Sequence, residues 1–352
     1  MKKWYIATYC LLVIFIFIYT GTNYCNQDKS TILITGGAGY IGSHTGWLLV
    51  QKGYEVIILD HRIMKKFPWA HYIEADYADE KVLSDIFSNN NIEAVFHFAA
   101  YTLVRDSVNK PLDYYDNNLV KTVKLLDIMM RHGVNKLIFS SSRTVYGNAQ
   151  FLPIVEDHPK NPISPYGRTK WMIELILQDF HNTYGLKFMS IRFVNATGAL
   201  PEYGLGEEHD PETHLIPALI KAARKDLPFE IYGGDYDTTD GTCIRSYIHV
   251  LDIAYANLAA LEYLNKGGKS GFFGLGTDLI LSVKETVAAV EKFYNKKINY
   301  SILPKKPGDS PELYTDYSRA RTALGWEPRY TNIEFILKTI DEFENLKEKG
   351  SC

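Results

Sequence analysis

A short apolar strand, a glycine-rich turn and an amphipathic helix follow one another near the start of the chain. Residues 31–35 read TILIT, residues 36–42 read GGAGYIG, and a second apolar run at 55–59 is followed by Asp60. In a dinucleotide-binding βαβ unit, such glycines allow a tight turn and let backbone N–H groups approach a pyrophosphate at the positive end of the helix. Because two strands and a terminal acid flank the turn, the sequence predicts this unit here.

The acid at the end of the second strand indicates which dinucleotide is bound. The Asp60 carboxylate would accept hydrogen bonds from the adenosine ribose hydroxyls and would repel a 2′-phosphate. NAD is therefore the predicted cofactor, in preference to NADP. Together with Asp60, the turn supplies the first part of the predicted cofactor site: Gly36, Gly39, Tyr40, Ile41 and Gly42.

The alternation of strands and helices continues beyond this unit. Further strands are predicted at 72–76, 94–98 and 136–140, with helices at about 79–88 and 114–132. Repeated βα units predict an α/β fold: a doubly wound, Rossmann-type parallel sheet that binds ligands at the carboxyl ends of its strands. Residues near those ends complete the predicted cofactor site: Asp76, Tyr77, Phe98, Ala99, Ala100, Asn117 and Val194. A helix N-cap for Asp76 and a surface position for Asn117 are the alternative roles.

Three residues after the fifth strand have the types and the spacing of an acid–base site. Ser142 ends the SSS sequence at 140–142, and Tyr166 and Lys170 lie four residues apart at the start of a predicted helix. Residues at that spacing share one helix face. An ammonium group beside a phenol favours the phenolate, so we expect Lys170 to lower the pKa of Tyr166 toward working pH. Tyr166 is the predicted general base for a sugar hydroxyl, which Ser142 would share.

Charge and cysteine content exclude several classes of protein. Lysine plus arginine is 38 and aspartate plus glutamate is 41, so the net charge of −3 provides no broad basic surface for nucleic acid. The four cysteines, at positions 10, 25, 243 and 352, have no CxxC spacing. We therefore predict neither a disulfide framework nor a metal site.

The first residues contain an apolar run, WYIATYCLLVIFIFIYT at 4–20, behind Met1 and two lysines. The run is at the short end of what spans a bilayer, and no small-x-small cleavage site follows it. A retained membrane anchor over residues 4–20 is therefore predicted rather than a cleaved signal peptide. A start codon assigned too early is the alternative. The two lysines favour a translocated body, whereas the supply of NAD favours the cytosol, which we prefer.

Longer motifs resemble those of the extended short-chain dehydrogenase/reductase family, and within it most closely the UDP-glucose 4-epimerase subfamily. The resemblance extends from about Thr31 to the C-terminus. Its motifs are TGGAGYIGSH from Thr35, KPLDYYDNN from Lys110, SSSRTVYG from Ser140, PISPYGRTK ending at Lys170, DGTCIRSYIHVLDIA from Asp240 and PGDSPELYTDYSRARTALGW from Pro307. The resemblance implies a homodimer and a smaller C-terminal mixed α/β domain that binds a UDP-sugar.

The domain organisation implied by this resemblance begins after an anchor or signal-like segment at 1–28. The NAD-binding domain is expected at 29–193, with segments around 236–265 returning to it. The UDP-sugar-binding domain is expected at 194–235 and 266–346.

The resemblance also assigns the substrate-binding residues other than Ser142 and Tyr166. Diphosphate contacts fall on Asn195, Arg245 and Lys306, the last standing where the family usually has a second arginine. The uridine end is assigned to the backbone of His214 and Leu215, to Glu230, Ile231 and Tyr232 around the uracil, and to Asp309 at the ribose. Membership of a solvated ion pair is the alternative role for Arg245 and Asp309.

The residues that follow Ser142 bear on the type of reaction. Sugar-nucleotide 4,6-dehydratases of the family carry an Asp-Glu pair at these two positions, and this chain has Arg143 and Thr144. The resemblance therefore implies C4 epimerisation, in which a hydride passes to NAD, the 4-keto sugar rotates, and the hydride returns to the opposite face. UDP-glucose/UDP-galactose is the expected pair. UDP-arabinose/UDP-xylose, UDP-GlcNAc/UDP-GalNAc (with Leu313 bearing on the space for an N-acetyl group) and a non-enzymatic NAD-binding scaffold are the alternatives.

Overall fold

A seven-stranded, wholly parallel sheet forms the centre of the molecule in the computed structural model, which describes residues 30–193, 195–209, 212–305 and 310–350. Its strand order is β3-β2-β1-β4-β5-β6-β10. The strands are β1 (Thr31–Thr35), β2 (Glu55–Asp60), β3 (His71–Glu74), β4 (Ile92–His97), β5 (Lys136–Ser142), β6 (Lys187–Phe193) and β10 (Gly271–Leu275). The order reverses between β1 and β4, as in a doubly wound sheet, and this confirms the predicted fold class.

Helices cover both faces of this sheet. Apolar side chains of β1, β4 and β5 point alternately to the two faces, because successive residues of a strand do so. The first face is covered by α1 (Tyr40–Gln51), α8 (Val250–Asn265) and α10 (Ser318–Leu324). The second face is covered by α2 (Glu80–Asn89), α5 (Lys121–Arg131) and α6 (Pro165–Tyr184). Both faces are therefore buried, which is why the strands read as continuous apolar runs.

A smaller body follows β6 along the chain and packs around its own apolar cluster, which contains Ile220, Ile231, Tyr247, Val290 and Ile336. Its strands form two further sheets, one in the order β11-β9-β13 with β7 beside β9, and one that pairs β8 with β12. The strands are β7 (Asn195–Thr197), β8 (Phe229–Tyr232), β9 (Ile244–His249), β11 (Ile280–Ser282), β12 (Tyr300–Leu303) and β13 (Glu312–Leu313). The helices are α7 (Leu215–Lys225), α9 (Val283–Tyr294) and α11 (Ile333–Glu348).

The helix that carries Tyr166 and Lys170 has clear start and stop signals. Ser164 caps α6 by accepting a hydrogen bond from the backbone N–H of Gly167 at 3.1 Å, and Pro165 occupies the first turn. Gly185 ends the helix in the left-handed conformation, with φ of +74°. These signals fix where the helix begins on the sheet, and so fix the height of Tyr166 at the strand ends.

The predicted helix at 114–132 is interrupted. The chain runs through α3 (Val104–Asn109) and α4 (Pro111–Tyr114), then through a π-helical segment at Tyr115–Val120, and only then into α5. A single helical periodicity cannot reveal such a segment, whose wider turn shifts the phase of the residues that follow.

No helix within the described residues is both long and apolar enough to cross a bilayer. The predicted anchor at 4–20, like the whole segment 1–28, lies outside the described residues. The predicted domain boundaries stay predictions.

Candidate active site

The turn between β1 and α1 is built so that no side chain obstructs it. Gly36 has φ of +71°, and a Cβ there would lie 2.5 Å from the backbone nitrogen of Ala99. A Cβ on Gly42 would lie 2.3 Å from the carbonyl oxygen of Gly36. Within the described residues no side chain caps α1 at Gly39. The backbone N–H groups of Tyr40 and Ile41, in the first turn of α1, can therefore donate to an NAD pyrophosphate. The site fits the predicted cofactor.

Asp60 lies at the end of β2 and is tied to the same turn. Its Oδ2 accepts a hydrogen bond from the backbone N–H of Ala38 at 3.1 Å, and only 11% of its side chain is exposed. His61 Nδ1 lies 3.1 Å from the other carboxylate oxygen. The carboxylate is therefore held at a fixed position beside the glycine turn, where the prediction requires it.

The segment after β4 closes the other side of the turn. The backbone N–H groups of Phe98 and Ala99 both donate to the carbonyl oxygen of Thr35, at 2.9 and 3.0 Å. Phe98, Ala99 and Ala100 are all partly exposed. These predicted cofactor residues are thus brought beside Gly36 by the pairing of β1 with β4.

Asp76 and Tyr77 lie past the end of β3, and both are engaged. The Asp76 carboxylate pairs with Lys121 and accepts a hydrogen bond from the N–H of Ala78 at 2.9 Å. Burial opposes its ionisation, but these hydrogen bonds outweigh burial and lower its pKa. The N-cap role weighed for Asp76 is wrong, because Asp79 caps α2 through the N–H of Val82. The Tyr77 hydroxyl donates to the carbonyl oxygen of Asn117.

Asn118, which the sequence analysis passed over, holds the backbone of Tyr101 in the segment after β4. Its Oδ1 accepts from the N–H of Tyr101 at 2.8 Å, and its Nδ2 donates to the carbonyl oxygen of Tyr101 at 2.9 Å. The Asn117 side chain, which is partly exposed, donates to Asn118 Oδ1 at 3.0 Å. The DNN sequence did not distinguish the two asparagines. Only the π-helical segment determines which one points inward.

Ser142 and Tyr166 meet at the carboxyl end of β5. Tyr166 is 8% exposed and faces Ser142. Burial raises the pKa of Tyr166 to about 12, and the interaction with Ser142 offsets this rise only in part. The predicted lowering by Lys170 does not occur in this structure. Tyr166 is therefore protonated at neutral pH before any ligand is bound.

Lys170 lies one helical turn below Tyr166. Its Nζ donates to the carbonyl oxygen of Ser140 at 2.8 Å and lies 5.8 Å from the centroid of the Tyr166 ring. The side chain is 2% exposed, and burial lowers its pKa to about 7, although the negative charge of Glu174 opposes the shift. Lys170 is thus positioned as predicted, but at neutral pH only part of the population carries the charge that the prediction required.

A buried ion pair lies one further turn along α6. Arg192 Nη2 and Glu174 Oε2 are 2.6 Å apart, and both side chains are at most 1% exposed. Glu174 Oε1 also accepts hydrogen bonds from Ser141 at 2.7 Å and Ser190 at 2.8 Å. This pair is a further feature that the sequence analysis missed. Its signal was the spacing of four residues that continues from Tyr166 and Lys170 to Glu174.

The predicted diphosphate residues are split between described and undescribed parts of the chain. Asn195 Nδ2 donates to the carbonyl oxygen of Ser246 at 3.0 Å, next to Arg245 on the neighbouring strand β9. Arg245 Nη1 donates to the carbonyl oxygens of Ile244 and Pro311, at 2.8 and 3.3 Å. Over the described residues Arg245 forms no ion pair. Three predicted site residues lie outside them: Val194, Lys306 and Asp309.

The residues predicted to contact the uracil differ in how far their side chains are exposed. Ile231 is 1% exposed and belongs to the core of the smaller body, so only its backbone could face a base. Glu230 is exposed and accepts a hydrogen bond from the Tyr232 hydroxyl at 2.8 Å.

His214 is the N-cap residue of α7, and Leu215 is its first helical residue. His214 also lines a cleft with a segment that runs from Thr102 to Asp106. It belongs in addition to a group of four side chains with Glu207, His209 and Glu212. The sequence analysis, which expected no metal site, considered cysteines and missed the Glu-x-His-x-x-Glu-x-His spacing of this group.

Comparisons with known proteins agree with this geometry. Residues 32–276 match the model of the NAD dependent epimerase/dehydratase family. The UDP-glucose 4-epimerase of Halalkalibacterium halodurans is 42% identical, over 87% of this chain and 93% of that protein. UDP-arabinose 4-epimerase 1 of Arabidopsis thaliana is 39% identical, over 91% and 80%. The crystal structure of the Bifidobacterium longum UDP-glucose 4-epimerase in complex with NAD⁺ and UDP is 37% identical, with a TM-score of 0.83, over 92% of this chain and 100% of that one.

Proposed function

From the premise that this chain belongs to the NAD dependent epimerase/dehydratase family, we propose that it interconverts UDP-glucose and UDP-galactose by NAD-dependent epimerisation at C4. The observation that carries the proposal is the meeting of Ser142, Tyr166 and Lys170 at the carboxyl end of β5, in the same sheet whose first turn offers an unobstructed dinucleotide cradle. Ligands of doubly wound sheets bind at these strand ends, so cofactor and sugar can meet there.

The residues that would hold NAD are the glycine turn, Asp60 and the segment after β4. Bound there, NAD⁺ would supply the hydride acceptor and donor, and its positively charged nicotinamide would favour the phenolate form of Tyr166. Tyr166 would then take the proton of the sugar C4 hydroxyl, while Ser142 holds the same hydroxyl by a hydrogen bond. Once the 4-keto sugar has rotated and presents the opposite face of C4 for return of the hydride, Tyr166 would return the proton to the C4 oxygen.

Lys170 assists by its position. Its Nζ is anchored on Ser140, so it cannot swing away from Tyr166 when the phenol loses its proton. Since burial leaves its pKa at about 7, a negative phenolate nearby would shift it toward the charged form. The two groups therefore titrate as a coupled pair in the working enzyme.

Epimerisation is favoured over dehydration by the residues after Ser142. Arg143–Tyr146 form a short 3-10 turn, and the N–H of Thr144 donates to Ser142 Oγ at 3.2 Å. Neither Arg143 nor Thr144 provides a carboxyl group for eliminating water from the oxidised sugar. The keto intermediate would then be reduced again by return of the hydride to C4.

A pentose pair, UDP-arabinose and UDP-xylose, is the second candidate, and the identity with the Arabidopsis thaliana enzyme favours it. An N-acetylated pair is the third. Leu313 is 5% exposed and packs with Val145, Tyr146 and Ile154, so enlarging a pocket at this position would require repacking that cluster. This argues for substrates without the N-acetyl group.

The test uses the full purified chain, incubated with UDP-galactose with and without added NAD. We expect UDP-glucose to appear with no net consumption of NAD, because the hydride is returned in each turnover. Side-by-side kcat/KM values for the hexose, pentose and N-acetylhexosamine pairs rank the three candidates. A failure to convert any of them, with NAD shown to be bound, would overturn the proposal.

We also propose that two copies of the chain pair through α6 and the helical segment at 111–131. Apolar side chains in both are exposed, among them Leu112, Val120, Met172 and Leu175, and such exposed apolar groups favour contact with a second copy. Leu175→Glu should then yield a monomer in light-scattering measurements, whereas Leu227→Glu, at a similarly exposed position beyond α7, should leave the dimer intact. A monomeric parent chain would contradict this proposal.

For the N-terminal segment, we propose that residues 4–20 anchor the enzyme with its catalytic body in the cytosol. The length and apolarity of the run support this, and so does the supply of NAD and UDP-sugars on that side. Fractionation of cells that express the full chain, with and without residues 1–28, tests the anchor, and protease accessibility of the body tests its side.

A further inference from the structure

Four metal-ligating side chains converge between β7 and α7, in a short segment that the proposed epimerisation does not use for chemistry. They are Glu207, His209, Glu212 and His214, and one ligand atom from each lies within 4.8 Å of the others. His209 Nδ1 is 2.8 Å from Glu207 Oε1, and His214 Nδ1 contacts the same oxygen. The second carboxylate, Glu212 Oε1, lies 3.7 Å from His214 Nδ1.

The two carboxylates of this group have only histidines as basic partners among the described residues. Glu207 is 8% exposed, and a carboxylate so buried needs a compensating positive charge. Within the described residues, every ion pair of Glu207 and Glu212 is with His209 or His214, and none is with lysine or arginine. Once the imidazoles have given up any proton in order to coordinate, the group offers two carboxylate charges and one nitrogen from each histidine. A divalent cation would match it.

The ligand types decide which cation. Two imidazole nitrogens and two carboxylate oxygens suit a tetrahedral zinc ion, whereas magnesium and calcium prefer oxygen ligands alone. All four ligands come from eight consecutive residues, so binding would not require distant parts of the chain to move together. We propose that Glu207, His209, Glu212 and His214 form a binding site for one Zn²⁺ ion.

The place of this site in the fold gives the ion a structural role. His214 is the N-cap residue of α7 and lines the cleft near Thr102, so the ion would fix the start of that helix. On the other side, the charges of Glu207 and Glu212 act on Tyr40, whose hydroxyl donates to the carbonyl oxygen of Gly198. The ion would therefore fasten the segment that joins the cofactor side to the beginning of α7.

The experiment uses the full chain stripped with a chelator, dialysed, and titrated with ZnCl₂ in competition with a chromogenic chelator at about pH 7.5, where both histidines can coordinate. We expect one ion per chain and a rise in the midpoint of thermal unfolding, because the ion binds only the folded state. Neither calcium nor magnesium at the same concentration should raise it. None of these readouts depends on epimerase activity, so failure here is separate from failure of the proposed function.

His209→Ala is the diagnostic variant, since 42% of this side chain is exposed and its loss should leave the fold intact. We expect zinc to bind at least about 10-fold more weakly, because even the loss of a group that only supports a ligand costs roughly 10–100-fold in metal affinity. Glu208→Gln, an exposed neighbour outside the group, and His71→Ala, an exposed histidine on β3, are the matched controls and should bind zinc as the parent does.

Two outcomes would overturn the proposal. The first is a parent chain that binds no zinc beyond what the doubly substituted His209→Ala/His214→Ala protein binds. The second is an equal loss of binding in Glu208→Gln, which would indicate a diffuse charge effect and no defined set of ligands.

Discussion

Lys170 donates a hydrogen bond of 2.8 Å to the carbonyl oxygen of Ser140, and this contact ties α6 to the end of β5. The lysine is thereby held below Tyr166 and away from water. Burial in turn lowers its pKa to about 7.

The stability of the ligand-free protein should rise between pH 7 and pH 10.5, because of Lys170. Its pKa is about 7 in the folded state and 10.5 ordinarily, so the unfolded chain binds more protons across this interval. The free energy of unfolding then increases with pH, by at most about 1.4 kcal/mol per pH unit for one group. Urea denaturation at several pH values should show this rise reduced in Lys170→Met. Lys187→Met, at an exposed position on β6, should retain it.

Tyr166→Phe should lower kcat at least ~10²-fold while NAD still binds, since the variant loses only the proton-transferring hydroxyl. The matched control is Tyr184→Phe on the same helix, where 62% of the side chain is exposed. Steady-state kinetics measure kcat, and a calorimetric titration with NAD⁺ measures the binding of the cofactor. Comparable kcat values in both variants would remove Tyr166 from the mechanism.

Asn118→Ala should destabilise the protein by ~1–3 kcal/mol, because it leaves both backbone groups of Tyr101 without their partner. Asn117→Ala should cost less, since that side chain is partly exposed and makes one hydrogen bond to Asn118. Chemical denaturation of the two variants provides the comparison. Equal losses of stability would mean that the backbone of Tyr101 is held by other contacts.

Gly36→Ala should abolish NAD binding, because the new Cβ would lie 2.5 Å from the backbone nitrogen of Ala99 and would force the cradle apart. Gly53→Ala is the control variant, and it measures only the cost of placing a Cβ on a residue with a positive φ. Gly53 also has a positive φ, of +92°, but has no heavy atom within 4 Å of such a Cβ. The Gly53→Ala protein should lose only about 1 kcal/mol of stability and should keep its affinity for NAD, which calorimetric titration measures.

Glu174→Met should cost ~3–5 kcal/mol, because Arg192 is left buried without a counter-charge. Adding Arg192→Met should recover a substantial part of that loss, so the two changes should be strongly non-additive. Urea denaturation of the four proteins of this cycle measures the coupling. Simple additivity would show that each side chain acts through separate neighbours.

Much of the fold could be predicted from the sequence because its signals are local. The alternation of buried strands with helices located β1 to β5, α2 and α6 to within a few residues. The glycine turn and Asp60 were found in the same way, as they depend on one βαβ unit. Signals of this kind need no knowledge of distant partners.

The remainder depends on long-range contacts that local patterns do not contain. Whether Asn117 or Asn118 points inward is set by the π-helical segment and by Tyr101. The pKa of Tyr166 is set by its burial, which the spacing to Lys170 cannot show. The group around Glu207 was missed because the search for metal ligands considered cysteines and passed over mixed histidine and glutamate spacing.

Strand β10, which pairs with β6, comes from a part of the chain that follows β7, α7, β8 and β9 of the smaller body. During synthesis, the edge of β6 consequently stays open until Leu275 has been made, and its unpaired backbone groups are free to pair with other chains. A polypeptide cut after Phe193 would keep that open edge permanently. The parts of the chain before and after Phe193 must therefore fold together. A chain that is truncated at Phe193 is a poor choice for expression.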